Sequence, residues 1–225
     1  MPAPREPDLG PLPGGHHGLS PEQVAESQRE RLLAAIAQVT AEHGYRAATI
    51  AEIVKAASVS SRAFYENFES KEAVFLAAFE AVIAHLEELV AAAVAPVSDW
   101  PGRVVAGLRT LLEFFAAEPA LARLCLVEPI TASPQIATRF RAVVVECIPH
   151  LRAGRAERPE AAALPDSTED SLLGGLLVLT ARSLLAGDRP LTDLLPDLVE
   201  FALAPYLGPE RAKELAREAA GFPAG

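Results

Sequence analysis

Residues 44–72, "GYRAATIAEIVKAASVSSRAFYENFESKE", decide how this chain folds. Ile50, Ile53, Val54 and Ala57 recur at i, i+3, i+4 and i+7, the spacing of one buried helix face, and Thr49 opens that helix. Ser58-Val59-Ser60 breaks it, and a second short helix covers about Ser61 to Asn67. Phe64 and Phe68, four apart, turn inward on that helix, which leaves Ser61, Arg62, Tyr65 and Asn67 on its outer side. Val59 is the apolar plug in the break. Two short helices joined by so tight a corner predict a helix-turn-helix.

Working outward, Ser20-Pro21-Glu22-Gln23 is a helix start, with a Ser N-cap, Pro at the first position and Gln at the capping-box position. The helix is expected to run to His43, with Val24, Leu32, Ile36 and Val39 as its stripe and Gly44 as its stop. On the other side, Ser70-Lys71-Glu72 starts a long helix reaching about Ala95, before Pro96. "SDWPGR" reads as a connection, followed by helices over about Gly102–Ala117 and Pro119–Val127. In "SPQIATRFRAVVVECIPHL", Ile136, Phe140, Val143, Val144 and Cys147 share one helix face. Residues 152–166, "RAGRAERPEAAALPD", read as a polar loop. Ser167 and Asp170 cap a helix to about Ala186, Gly187–Pro190 turn the chain, and a last major helix covers about Thr192–Tyr206. A short frayed helix is the most expected after Gly208. The chain therefore reads all-α, with no strand. The expected organisation is an arm over 1–19, a helix-turn-helix domain over 20–70, a helical domain over 71–208 and a tail over 209–225.

Composition limits what such a chain does. Its 225 residues hold 20 Lys+Arg against 30 Asp+Glu, a net charge of −10. That balance opposes non-specific coating of nucleic acid, yet a small local face remains open to it, since salt limits exposed charges to about 8–10 Å of reach. Cys125 and Cys147 form no CxxC pair and are expected as buried structural thiols in a reducing, cytoplasmic setting. No apolar run approaches the roughly 20 residues that span a bilayer, so no membrane partner is expected. The Pro- and Gly-rich start lacks the apolar core of a signal peptide. No HExxH, CxxC or Gly-rich phosphate loop is present, so no catalytic group, metal site or cofactor is expected, and the chain reads as a non-enzyme.

The outer face of the second short helix has chemistry suited to duplex DNA. Arg62 can donate two hydrogen bonds to guanine O6 and N7. Tyr65 and Asn67 can hold phosphates, and Thr49 and Lys71 stand at helix starts, where free backbone N–H groups favour an anion. Taken singly, Thr49 and Ser60 are ordinary caps, Arg62 a solvated side chain and Tyr65 a half-buried packing residue. Their joint spacing from Thr49 to Lys71 makes the case.

The stretch "GYRAATIAEIVKAASVSSRAFYENFESKEAVFLAAFE" resembles the N-terminal DNA-binding segment of the TetR family of bacterial transcriptional regulators. The resemblance covers about residues 26 to 80. Gly44-Tyr45, Thr49-Ile50, Ile53, Ala57, Val59-Ser60, Phe64-Tyr65, Phe68 and Ser70-Lys71-Glu72 carry it. This chain departs at Ser58, where the family commonly has Gly, and at Arg62-Ala63, where a Thr commonly follows. The resemblance implies a homodimer that sets two recognition helices on a double-stranded, palindromic operator, with half-sites about 34–36 Å apart. By motif position Ser61 and Arg62 read bases, while Thr49, Ser60, Tyr65, Asn67 and Lys71 position phosphates.

It also implies a C-terminal domain that binds a small-molecule effector and pairs with its copy through the last two major helices. Leu172, Leu176, Leu179, Leu198 and Phe201 are the expected dimer contacts. Leu111, Phe115, Leu124, Phe140 and Val144 are the expected lining of an apolar or amphipathic effector site among the middle helices. The function so implied is that of a repressor released from its operator by the effector, acting through the long fourth helix. The alternative is an all-helical small-molecule-binding protein or enzyme whose pocket is the main function; a helix-turn-helix used only for protein contacts is a third.

Overall fold

The computed structural model describes residues 20–221, and every regular element within them is helical. The expected arm lies outside the described residues. α1 (Pro21–His43) begins as its capping box requires: Ser20 Oγ accepts the Gln23 N–H, and the Gln23 side chain accepts the Ser20 N–H at 2.8 Å. It stops at Gly44, whose φ of 78° is in the left-handed region. α2 (Ile50–Ala56) and α3 (Ser61–Asn67) start on Thr49 and Ser60 caps. The three helices close on Leu32, Ile36, Ile53 and Phe64, all without solvent exposure. α4 (Lys71–Val94), capped by Ser70, buries Val74, Phe75, Ala78 and Phe79, and it packs on both α1 and α5.

α5 (Trp100–Ala117) starts two residues earlier than expected. Asp99 caps it by accepting the Gly102 N–H at 2.8 Å, and Pro101 sits harmlessly in its first turn, so "SDWP" is a helix start rather than a connection. Trp100 is thereby turned inward. Its Nε1 donates to the His150 carbonyl at 2.8 Å and its ring stands edge-on to Tyr206. α6 (Pro119–Leu126), α7 (Pro129–Ala132), α8 (Pro134–Glu146) and α9 (Ile148–Arg152) follow. The face expected on α8 is only partly realised: Ile136 is buried, but Cys147 at its end is exposed. Cys125 is buried as expected, and burial pushes its thiol up to about 12.

Residues 152–166 are not a free loop. They form a 3₁₀ turn (Ala153–Ala156) and α10 (Pro159–Ala162). While Glu157, Glu160 and Asp166 stay exposed, Arg155 and Arg152 of this segment reach Glu169 of α11 (Thr168–Ala186), which has no exposure. Arg155 meets that carboxylate as a fork, Nε to Oε1 at 2.7 Å and Nη2 to Oε2 at 2.9 Å. Its other hydrogens go to the carbonyls of Leu164 and Pro165, both at 2.7 Å. The Tyr206 hydroxyl donates to Oε1 at 3.1 Å, and Arg158 Nε donates to the Tyr206 carbonyl at 2.8 Å. The Arg155 hydrogen bonds above all hold the Glu169 carboxyl down at about 2.

Ser167 stands at the N-cap of α11 without making a capping bond, and Gly187, φ 60°, ends the helix. A 3₁₀ turn (Leu191–Leu194) then leads into α12 (Leu195–Leu207), so the α-helix begins later than Thr192. Beyond Gly208 comes α13 (Pro209–Ala219), an eleven-residue helix that lays Ala212, Ala216 and Ala219 against α12. Arg109 of α5 donates to the Ala219 carbonyl at 3.0 Å. No described helix is long and apolar enough to cross a membrane.

Candidate nucleic-acid interface

The outer face of α3 is set by what its inner face buries. Ala63, Phe64 and Phe68 are buried, and Phe68 is covered by the Arg29 guanidinium of α1, 4.7 Å from the ring centre. Ser61, Arg62, Tyr65 and Glu66 are left exposed, Tyr65 by 60%. The corner ahead of α3 is a strained one. Ser58 adopts φ 52°, a left-handed value that suits glycine, and it is the one non-glycine residue to do so among the described residues. Arg31 of α1 offsets this, its Nη1 lying 3.3 Å from the carbonyls of both Ala57 and Ser58.

Five of the polar residues expected at DNA have an internal hydrogen-bond partner; the Ser61 and Tyr65 hydroxyls have none among the described residues. Thr49 accepts the Glu52 N–H at 3.2 Å and donates its hydroxyl to Glu52 Oε2 at 2.8 Å, which lowers the Glu52 carboxyl below its ordinary range. Ser60 accepts the Ala63 N–H at 3.0 Å. Arg62 Nε sits 2.7 Å from Glu66 Oε1, a pair that raises the guanidinium further and leaves its two terminal nitrogens without a hydrogen-bond partner among the described residues. Asn67 Nδ2 donates to the Ala63 carbonyl at 2.8 Å. Lys71 is the most committed: its amine donates to the carbonyls of Tyr45 at 2.6 Å and Ala48 at 2.7 Å, and lies over the Tyr45 ring. Burial lowers its ordinary value.

Thr49 and Ser60 thus cap α2 and α3, Ser61, Arg62 and Tyr65 stand exposed on α3, and Asn67 is half-buried at its end. Lys71 stands behind them as a brace for the α1–α2 turn. Glu52, Glu66 and Arg31 are the residues that sequence reasoning passed over. The first two were visible as a Thr-x-x-Glu cap and an Arg–Glu pair at i, i+4; Arg31 was not, since its partners are 26 and 27 residues away.

The body of the molecule receives the other expected residues unevenly. Phe115 and Leu124 are buried in the core, Leu111 and Phe140 pack against it, and Val144 is half-exposed on α8. Leu172, Leu176 and Leu198 face their own protomer, and Leu198 at 1% exposure has no surface left for a partner. Phe201 is exposed by 39%, and with Val178 and Leu185 it leaves α11 and α12 with an uncovered apolar face. A shallow groove beside it is lined by Leu164, Leu172, Phe201 and Pro205.

Comparison with known proteins bears on the helix-turn-helix and on the fold. Residues 32–78 match the model of bacterial regulatory proteins of the tetR family. Over 122 residues, 54% of this chain, the sequence is 27% identical to the HTH-type transcriptional activator FasR of Mycolicibacterium smegmatis, and spans 56% of that protein's length. Among solved structures, the fatty acid degradation regulator FadR from Bacillus halodurans superposes with a TM-score of 0.68 at 19% identity, over 80% of this chain and 94% of that one. FadR from Bacillus subtilis, in complex with stearoyl-CoA, gives 0.64 at 14% identity, over 80% and 98%. At such identities these two likenesses speak for the fold.

Proposed function

We propose that this chain, a TetR-family transcriptional regulator, is a homodimeric repressor of a palindromic operator, released by a small molecule carrying a long acyl chain. The observation that carries this reading is the face of α3. Phe64 and Phe68 fasten the helix to its domain, and the side left free presents Ser61, Arg62 and Tyr65. Arg62, whose Nε is held by Glu66, offers its terminal fork to a guanine edge, while Thr49, Ser60, Tyr65 and Asn67 position phosphates. Pairing of two copies is supported by the apolar surface of Val178, Leu185 and Phe201 on α11 and α12, which a second copy of the same face would cover. The effector class is supported by the apolar make-up of the middle helices and by the stearoyl-CoA bound to the B. subtilis protein of the same fold.

A footprint on the DNA flanking the chain's own gene, repeated with stearoyl-CoA, tests the whole of this. The expected result is a two-fold symmetric protected site that is lost as the acyl-CoA is added. Protection that fails to appear at low salt rules out sequence-specific binding, and protection indifferent to the acyl-CoA rules out that effector. A reporter gene behind the site gives the sign: expression rises with the effector for a repressor.

A further inference from the structure

Glu128 is a buried carboxylate with no part in reading DNA, and it is placed where the body meets the helix-turn-helix. It follows the last turn of α6 and is only 7% exposed. Its Oε2 accepts the backbone N–H of Tyr45, 83 residues away, at 2.8 Å. That N–H belongs to the α1–α2 turn, beyond the end of α1, where it has no helical partner of its own. The carbonyl of the same residue is taken by Lys71 at the start of α4. The peptide groups on either side of Tyr45 are therefore gripped from two directions, by α6 through Glu128 and by α4 through Lys71. A second contact runs parallel to the first: Arg46 Nε donates to the Thr131 carbonyl of α7 at 3.2 Å.

α6 is well placed to pass on a displacement. It packs against α1 on one side and against α4, α5 and α11 on the others, so it touches both the DNA-binding unit and the helices of the body. A charge-assisted hydrogen bond to a main-chain N–H is stiff and directional, and its loss leaves a buried group unpaired. A shift of α6 relative to α4 must therefore either drag the α1–α2 turn along or break one of the two grips on Tyr45.

We infer that Glu128 is a positioning residue that couples the body to the helix-turn-helix directly, by a route that does not pass through the length of α4. The inference rests on the reading of this chain as an effector-controlled DNA binder, and it is tested without relying on any one effector. Coupling is reciprocal: if α6 steers the recognition helix, occupancy of the recognition helix must be felt at α6. The experiment is amide hydrogen exchange on the full chain, free and bound to the duplex recovered by footprinting, for wild type, Glu128→Gln and Glu128→Ala. Glu128→Gln keeps an oxygen that accepts the Tyr45 N–H; Glu128→Ala does not.

In wild type, operator binding is expected to slow exchange at least threefold in residues 58–68 and also in residues 119–133, which belong to the body and include no residue assigned to DNA contact. In Glu128→Ala the slowing at 58–68 remains and that at 119–133 disappears, with operator Kd changed less than fivefold. Glu128→Gln retains both. A residue that merely stabilised the fold would instead lower the melting temperature, weaken operator binding and alter both segments together, and that pattern overturns the inference. So does a remote change of unaltered size in Glu128→Ala. Wild type that binds no duplex specifically removes the functional reading itself, a result distinct from either.

Discussion

Replacing Glu169 by Gln is expected to cost about 3 kcal/mol, and the structure supplies the arithmetic. The carboxyl has no exposure, and Arg155 above all holds it at about 2 rather than the ordinary 4.5. A displacement of that size corresponds to about 3 kcal/mol of linkage between ionisation and folding, in line with the roughly 3–5 kcal/mol lost when one partner of a buried ion pair is removed. The sign follows from a folded value below the unfolded one. The contribution is complete at neutral pH, begins to fade as pH falls below about 4.5, and is gone by about pH 2. Thermal and urea melts of wild type and Glu169→Gln at equal protein concentration, at pH 7 and pH 3, measure it. At pH 7 the variant should melt about 6–12 °C lower, taking roughly 2–4 °C per kcal/mol for a chain of this size; at pH 3 the gap should narrow. A gap of equal width at both pH values refutes the electrostatic account. A gap below about 0.5 kcal/mol, the range of indifferent surface changes, refutes the claim that the cluster matters.

Ser58→Gly removes a side chain from a left-handed φ of 52° and should raise stability by about 1 kcal/mol, read as a higher melting temperature, with operator affinity unchanged. Arg62→Ala should weaken operator binding about tenfold or more and relax preference at one base pair per half-site, whereas Lys71→Ala should weaken all sequences alike and also lower the melting temperature, since its amine braces Tyr45 and Ala48; binding titrations on operator and random duplexes separate the two. Gly174 has nothing within 4 Å of where a Cβ would stand, so Gly174→Leu is tolerated by the single chain. If that space belongs to a second copy, the variant should sediment as a monomer under conditions where wild type is a dimer.

How much of this was legible depended on distance along the chain. The capping box at Ser20, the stop at Gly44, the starts at Thr49, Ser60 and Ser70, and the inward Phe64 and Phe68 are all encoded within four residues, and each is where periodicity and capping rules place it. The strain at Ser58 was equally local, as the departure from the family's glycine signalled it. The start of α5 was missed for want of reading Asp99 as a cap for a helix whose first turn holds Pro101. The folded state of residues 152–166 was not legible, because Arg155 and Arg158 look like loop solvation until Glu169 and Tyr206, 14 and 48 residues away, are placed beside them. Glu128 is the same case at 83 residues. The helical stripe of α12 shows that Leu198 and Phe201 are apolar, but only packing reveals that one is sealed inside its own chain and the other looks outward.

The internal partners of Thr49, Arg62 and Asn67 change what docking on a duplex means. Glu52 occupies the helix start where a phosphate would settle, Glu66 holds Arg62, and Asn67 donates to a main-chain oxygen. The unbound face carries its own decoy. On the proposed reading, contact with DNA at Thr49, Ser60 and Asn67 is an exchange, in which a new bond replaces one already made and the net gain is small, whereas Ser61, Tyr65 and the terminal nitrogens of Arg62 bring donors not already spent. A duplex that satisfies only some of the displaced donors is a worse host than the protein itself and is released. On that reading, Glu52 and Glu66 set part of the standard that a DNA site has to beat.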